Sequence, residues 1–438
     1  MKRILTTVLV STAIALPAGI VLAGQGAARP ADKPPVAQAW LDIATFSSPG
    51  MPGGMDGMMG GMMGGGGGGG GMPLSAMFGG KSQGNQFGHT RFGGSGSFLD
   101  VTLSTSRNPN LSEALQAVPQ GSRLAPTLQL KVLPQAKSVP DDEEPGEVPR
   151  GKIKLYWGCG STIRSGQPKV VDFATGTGGQ MAEIFKGRSA NQRGTHAAAG
   201  RPVWPNLTDK RLVPKGASLA GEHAFTGQGV PDNFKFNLPA QQDIMPPIAL
   251  RQAVANGVTQ LSWQPLPTAR AYFIAAMGGE GEEGRDAEMT LWTSSELPDS
   301  GFGLVDYQTN TSVDQWLKEK VLLPPTTSTC EIPRGVFPEG GAGMLRMIAY
   351  GTEINLAYPP RPTDPKVAWQ PDWAVKVRVK SVANSVLGMP DMGDDAVGDE
   401  AATGGEGSST EAAPAEGEPK KKKFSLKGAL DAAKQVIP

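Results

Sequence analysis

Residues 258–278, VTQLSWQPLPTARAYFIAAMG, leave this chain the least conformational freedom. Leu261 and Trp263 alternate with polar neighbours, Pro265 and Pro267 stop that run, and Ala271 opens a second apolar run. Successive strand side chains face opposite ways and proline has no N–H for a ladder, so the pattern predicts strand, turn, strand. Leu261, Trp263, Tyr272 and Ile274 are then core residues, a large aromatic at the end of one run facing another at the start of the next. The same period recurs at 98–104, 127–132, 153–157, 234–238 and 375–381. In the last of these the valines are expected to be buried, with Lys376, Arg378 and Lys380 facing water.

Short strands separated by turn residues predict a mainly β fold. Two β-sandwich-like domains are expected, at 97–240 and 245–385. Two helical segments interrupt the pattern, a brief one at 112–118 and a longer one at 312–321. In the longer segment Ser312 and Gln315 fit a capping box, and Val313, Trp316, Leu317 and Val321 share a face.

Leu261-x-Trp263-x-Pro265 followed by Ala269-x-Ala271-Tyr272 resembles the B–C strand region of fibronectin type III domains. The resemblance implies an immunoglobulin-like sandwich for 245–385 and no particular activity. The helix inserted at 312–321 departs from the family's simple pattern.

The flanks of this body are different in kind. Lys2 and Arg3 precede an apolar run ending in Val21-Leu22-Ala23, which reads as a signal peptide over 1–23 and predicts export to the periplasm, the cell surface or the medium. Residues 24–96 are rich in Gly, Pro, Met and Ser and contain an unbroken glycine run at 64–71. Glycine loses the most entropy on ordering and buries no side chain, so disorder is expected there. Within it, 37–43 forms a short apolar interval suited to docking. Met51, Met55, Met58, Met59, Met62 and Met63 bring thioethers together, soft ligands suited to Cu(I). The plainer account is an adaptable linker.

Residues 388–419 form an acidic linker, with nine carboxylates and no basic residue between Asp391 and Glu418. The tail at 420–438 opens on Lys420, Lys421, Lys422 and Lys423, then places Leu426 and Leu430 on one side of a potential helix. A basic amphipathic segment suits an anionic membrane surface or a partner's groove. Trp369 and Trp373, four residues apart in a proline-bearing loop, are candidates for a sugar-stacking platform.

Lys and Arg balance Asp and Glu at 41 each, so net charge offers no footprint for specific nucleic-acid binding. The histidines, His89, His196 and His223, form no metal-ligand spacing, and no nucleophile elbow or phosphate-binding fingerprint occurs. Cys159 and Cys330 are the only cysteines, and spacing leaves open whether they pair. The leading expectation is a non-catalytic exported protein of the bacterial envelope that contacts an envelope protein or copies of itself. The alternatives are a polymer hydrolase or carbohydrate-binding protein, and a Met-rich Cu(I)-binding protein.

Overall fold

A computed structural model describes residues 32–49, 90, 95–134, 151–172, 175, 187–188, 194–282, 285–338, 343–364 and 366–387. The protein is mainly β, with seventeen strands and one α-helix among these residues. The strands are β1 (Ala37–Ser47), β2 (Gly96–Thr105), β3 (Glu113–Ala117), β4 (Thr127–Lys131), β5 (Gly151–Trp157), β6 (Lys169–Asp172), β7 (Val203–Trp204), β8 (Gly221–Thr226) and β9 (Lys235–Leu238). They continue with β10 (Arg251–Ala255), β11 (Val258–Ser262), β12 (Ala271–Glu282), β13 (Arg285–Thr293), β14 (Thr329–Ile332), β15 (Gly343–Tyr350), β16 (Ile354–Tyr358) and β17 (Trp373–Leu387). The helix, α1, is Asn310–Lys318.

One large mixed sheet runs in the order β6-β5-β13-β12-β15-β17-β1-β2-β7-β4-β3-β8-β9, with β16 also on β17. A second sheet, β10-β11-β14, stands apart from it. Strands from 97–240 and from 245–385 therefore share one hydrogen-bonded ladder. They join at two places: β5 pairs in parallel with β13, and β1 lies between the two groups, parallel to β17 on one side and antiparallel to β2 on the other. β1 falls inside the stretch expected to be disordered. Its apolar interval sets it apart from the glycine tract, and Ala37, Ala39, Leu41 and Ile43 are wholly buried.

The segment 258–278 also differs from expectation, because its two strands do not pair with each other. β11 joins β10 and β14, while β12 joins β13 and β15. The prolines between them carry the chain from the small sheet to the large one, across the core. Trp263 meets Tyr272 edge to face there, ring centroids 5.6 Å apart. The expected core residues Leu261, Trp263, Tyr272 and Ile274 are all buried. The brief helix expected near 112–118 is instead β3, whose burial alternates with period two.

The two faces of the large sheet bury different things. One face, with Leu41, Ile43, Val101, Leu103, Val375 and Val377, packs into the main apolar core together with the small sheet's Leu261 and Ile332. The opposite face carries a smaller cluster, in which Phe46, Phe98, Phe273, Ile348 and Val382 lie under Leu304, Val313, Trp316 and Val321 from the α1 region. Thr309 caps α1 by accepting the Ser312 N–H at 3.1 Å, one turn before the expected cap. Gly351 lies between β15 and β16, which follow one another along the same edge of β17. Its N–H donates to the Val379 carbonyl, and a Cβ there would lie 2.9 Å from that oxygen.

Candidate functional site

The second face also carries the most unusual chemistry among the described residues, a strip of buried charge across β2, β1, β17 and β15. Register dictates it. Asp42 lies opposite Asp100 on β2 and opposite Arg378 on β17. One step along, Ala44 lies opposite Lys380, which in turn lies opposite Tyr350 on β15. Asp42 and Arg378 are each 3% exposed and Lys380 is 0% exposed. The expectation that the β17 cations face water is thus overturned. β17 is a central strand covered on both sides, so alternation there separates an apolar face from a buried polar one rather than inside from outside.

Each charge is met at close range. Arg378 donates through Nε to Asp42 Oδ1 at 2.6 Å and through Nη2 to Oδ2 at 2.5 Å, a bidentate fork. Asp42 Oδ2 also accepts the Thr195 N–H at 3.0 Å and its hydroxyl at 2.7 Å. Asp100, which faces a like charge across the ladder, accepts the Thr90 hydroxyl at 2.6 Å and its N–H at 3.1 Å. The Tyr307 ring lies 4.4 Å from the Arg378 guanidinium carbon and 4.3 Å from Lys380 Nζ, a cation–π contact with both. Lys380 Nζ reaches Asp306 Oδ1 at 3.5 Å. At the strip's end, Lys376 bridges to Glu353 at 3.0 Å beside the Trp40 ring.

Burial shapes the titration of these groups. It depresses the Lys380 ammonium to about 8, against a partial opposing pull from Asp306. It likewise lowers the buried Arg346 guanidinium to about 10. Burial alone would lower Arg378 too, but the charge and hydrogen bonds of Asp42 carry it above its ordinary value. The Tyr307 hydroxyl is pushed well above the phenol range by burial and then by the Asp42 charge. Gly194 lies directly over the pair, where a Cβ would stand 2.2 Å from Arg378 Nη2. At the centre of the strip the Asp42–Arg378 fork is closed by Thr195, an arrangement that suits fixing strand register.

The residues expected to bind lie elsewhere. Trp373 is 5% exposed, stacks on Phe234 at 4.9 Å, and donates its indole N–H to the Asn233 carbonyl, so it belongs to the core. Trp369 is half-buried, with Arg361 5.5 Å from its ring and its own N–H given to Pro359. Met51, Met55, Met58, Met59, Met62 and Met63 lie outside the described residues. So do Lys420, Lys421, Lys422, Lys423, Leu426, Leu430 and residues 1–23.

His223 is buried between Gln116 and the Leu219 carbonyl, stacked on Phe236, and its pKa is lowered by that burial. His196 sets Nδ1 against the Gly194 carbonyl and its ring edge-on to Trp40. Asn206, the asparagine of an Asn-Leu-Thr glycosylation pattern, is 1% exposed and donates to the Gln129 and Val203 carbonyls, a structural use. A hollow of about 230 Å³ on β3, β4 and β8 holds the single carboxylate Glu113 beside Lys131.

Cys159 and Cys330 form a disulfide, Cα atoms 5.2 Å apart. Cys159 follows β5, next to the edge strand β6 of the large sheet, and Cys330 lies in β14 of the small one, so the bond staples sheet to sheet. Comparison of the chain with known protein families, with characterised proteins and with solved structures finds no match.

Proposed function

We propose that this chain is an exported, non-catalytic β protein of the bacterial envelope that acts as a structural or interaction module. The observation that carries the reading is the Cys159–Cys330 disulfide, joining residues 171 apart in sequence. Such bonds persist in oxidising compartments and are rare in the cytosol. The basic, apolar, small-residue order of 1–23 points the same way. The lysine-led tail at 420–438 is the proposed attachment to an envelope partner or to anionic lipid. Deleting 420–438 is expected to release the protein from the envelope fraction and to remove partners captured with the full chain. Unchanged fractionation and capture would refute the attachment.

Within this reading, 245–385 is a fibronectin type III-like sandwich. Strand order supports it: β10-β11-β14 in one sheet and β13-β12-β15-β17 in the other match the A-B-E and C′-C-F-G arrangement of such sandwiches. Here α1 occupies the C′–E connection and outside strands cover both edges of the larger sheet. A second role for the exported chain is supported by the methionine cluster at 51–63, six thioethers suited to one soft ion. Titrating Cu(I) into a peptide of those residues tests it, and binding no tighter than micromolar would end it.

A further inference from the structure

β1 sits in the middle of the large sheet, yet the chain attaches it as a separable piece. It is the first strand among the described residues, and β2 beside it follows only after residues 48–95. Phe46 lies opposite Gly96, so the two strands end side by side and a hairpin turn of a few residues would join them. The chain instead inserts a connection many times longer than such a turn, with Thr90 near its far end bonded to Asp100, and the number of residues before Thr90 would span on the order of 140 Å if fully extended. β2 and β17 are not paired with each other; only β1 bridges them. Its place is therefore a slot, entered by antiparallel pairing on one wall and parallel pairing on the other.

The slot is keyed. Asp42 is the one charged residue of β1 and meets Arg378 of the slot in a bidentate, buried contact. A register slip by one residue would turn Asp42 into the apolar core and strand Arg378 without its partner. A keyed slot, a strand fitted to it and a connection much longer than pairing within one chain requires are the elements of strand exchange.

We propose that β1 is an exchangeable strand: the slot between β2 and β17 accepts β1 of a second copy of this chain, and two copies assemble by reciprocal donation. The proposal gives the proposed interaction module a partner, a second copy of itself, and rests on that reading for its use in the cell. The contacts made in exchange are those of the single chain, so concentration and refolding history decide which form is present.

The test uses mature full-length chains. In Asp42→Arg the strand carries the wrong charge for its own slot, and in Arg378→Asp the slot carries the wrong charge for its own strand. Exchange between the two restores an opposite-charge pair in both slots. Each variant refolded alone is expected to lose most of its folded material, whereas the equimolar mixture yields a folded species of twice the chain mass by light scattering. A mixture that behaves as the sum of its parts, while the double variant Asp42→Arg/Arg378→Asp folds as a monomer, overturns the proposal.

If the double variant fails to fold, the reversed side chains do not fit, and a crosslink decides. Ala39 lies opposite Leu103. Chains carrying Ala39→Cys and Leu103→Cys, refolded together and oxidised, are expected to give an interchain bond mapped by mass spectrometry to positions 39 and 103. Absence of that bond overturns strand exchange. Neither experiment involves the envelope, so failure here leaves the localisation reading standing, and success does not depend on it.

Discussion

Removing one partner of the Asp42–Arg378 pair leaves the other charge buried with its fork of hydrogen bonds broken. Arg378→Met is therefore expected to cost about 3–5 kcal/mol of stability in urea denaturation. Lys380→Met should behave differently, being neutral or stabilising, because Lys380 is wholly buried while its carboxylate partner Asp306 reaches solvent and does not depend on it. The same lysine sets a pH dependence. Its folded value of about 8 lies below the ordinary 10.5, so from pH 8 upward the unfolded chain holds the proton that the folded protein releases, and stability rises with pH. Tyr307 and Tyr350, raised by burial, act in the opposite sense once free phenols ionise near pH 10. Between pH 8 and 10 the folded protein should gain on the order of 2 kcal/mol, and Lys380→Met should flatten that rise. Gly194→Ala, by pushing on the Arg378 guanidinium, should destabilise as the loss of the pair does, in part. These roles were poorly legible in sequence. Lysine and arginine alternating with valine look the same over water as over a buried carboxylate, and Asp42 stands 336 residues from Arg378. The available signal was Asp42 itself, a lone carboxylate inside an apolar run, which is costly to bury without a cation.

At the scale of elements, the disulfide should matter most among single covalent features, because it closes a long loop and joins the two sheets. Reduction, or replacement of both cysteines by serine, is expected to lower stability by about 2–5 kcal/mol, measured by denaturation with and without reductant. The helix offers a smaller test: Thr309→Ala removes the acceptor for the Ser312 N–H and should cost about 1 kcal/mol. Local pattern was sufficient for most strands and for α1, since period and punctuation are local properties. It failed at β3, where Ala and Leu spaced like a helical turn proved to be a strand. There the cross-strand partners on β4 and β8 outweigh intrinsic preference. It also misplaced the helix cap by a turn, because two hydroxyls three residues apart, Thr309 and Ser312, compete for the role.

At the scale of the molecule, alternation gave the fold class, whereas composition placed β1, a central strand of the large sheet, in the N-terminal flank. Neither shows which strands neighbour which. β1 and β17, from opposite ends of the described chain, are adjacent and parallel, and β5 crosses to the far edge to pair with β13. The ladder therefore merges what the sequence divides at about residue 240. Pairing between remote strands leaves no trace in local spacing, and the same holds for the disulfide. Export of this body is decided by the intact mass of the protein recovered from its native host, alkylated before and after reduction. The expected result is a chain shortened by its leader, with Cys159 and Cys330 taking up alkyl groups only after reduction. A full-length chain with both thiols free from the outset would contradict it.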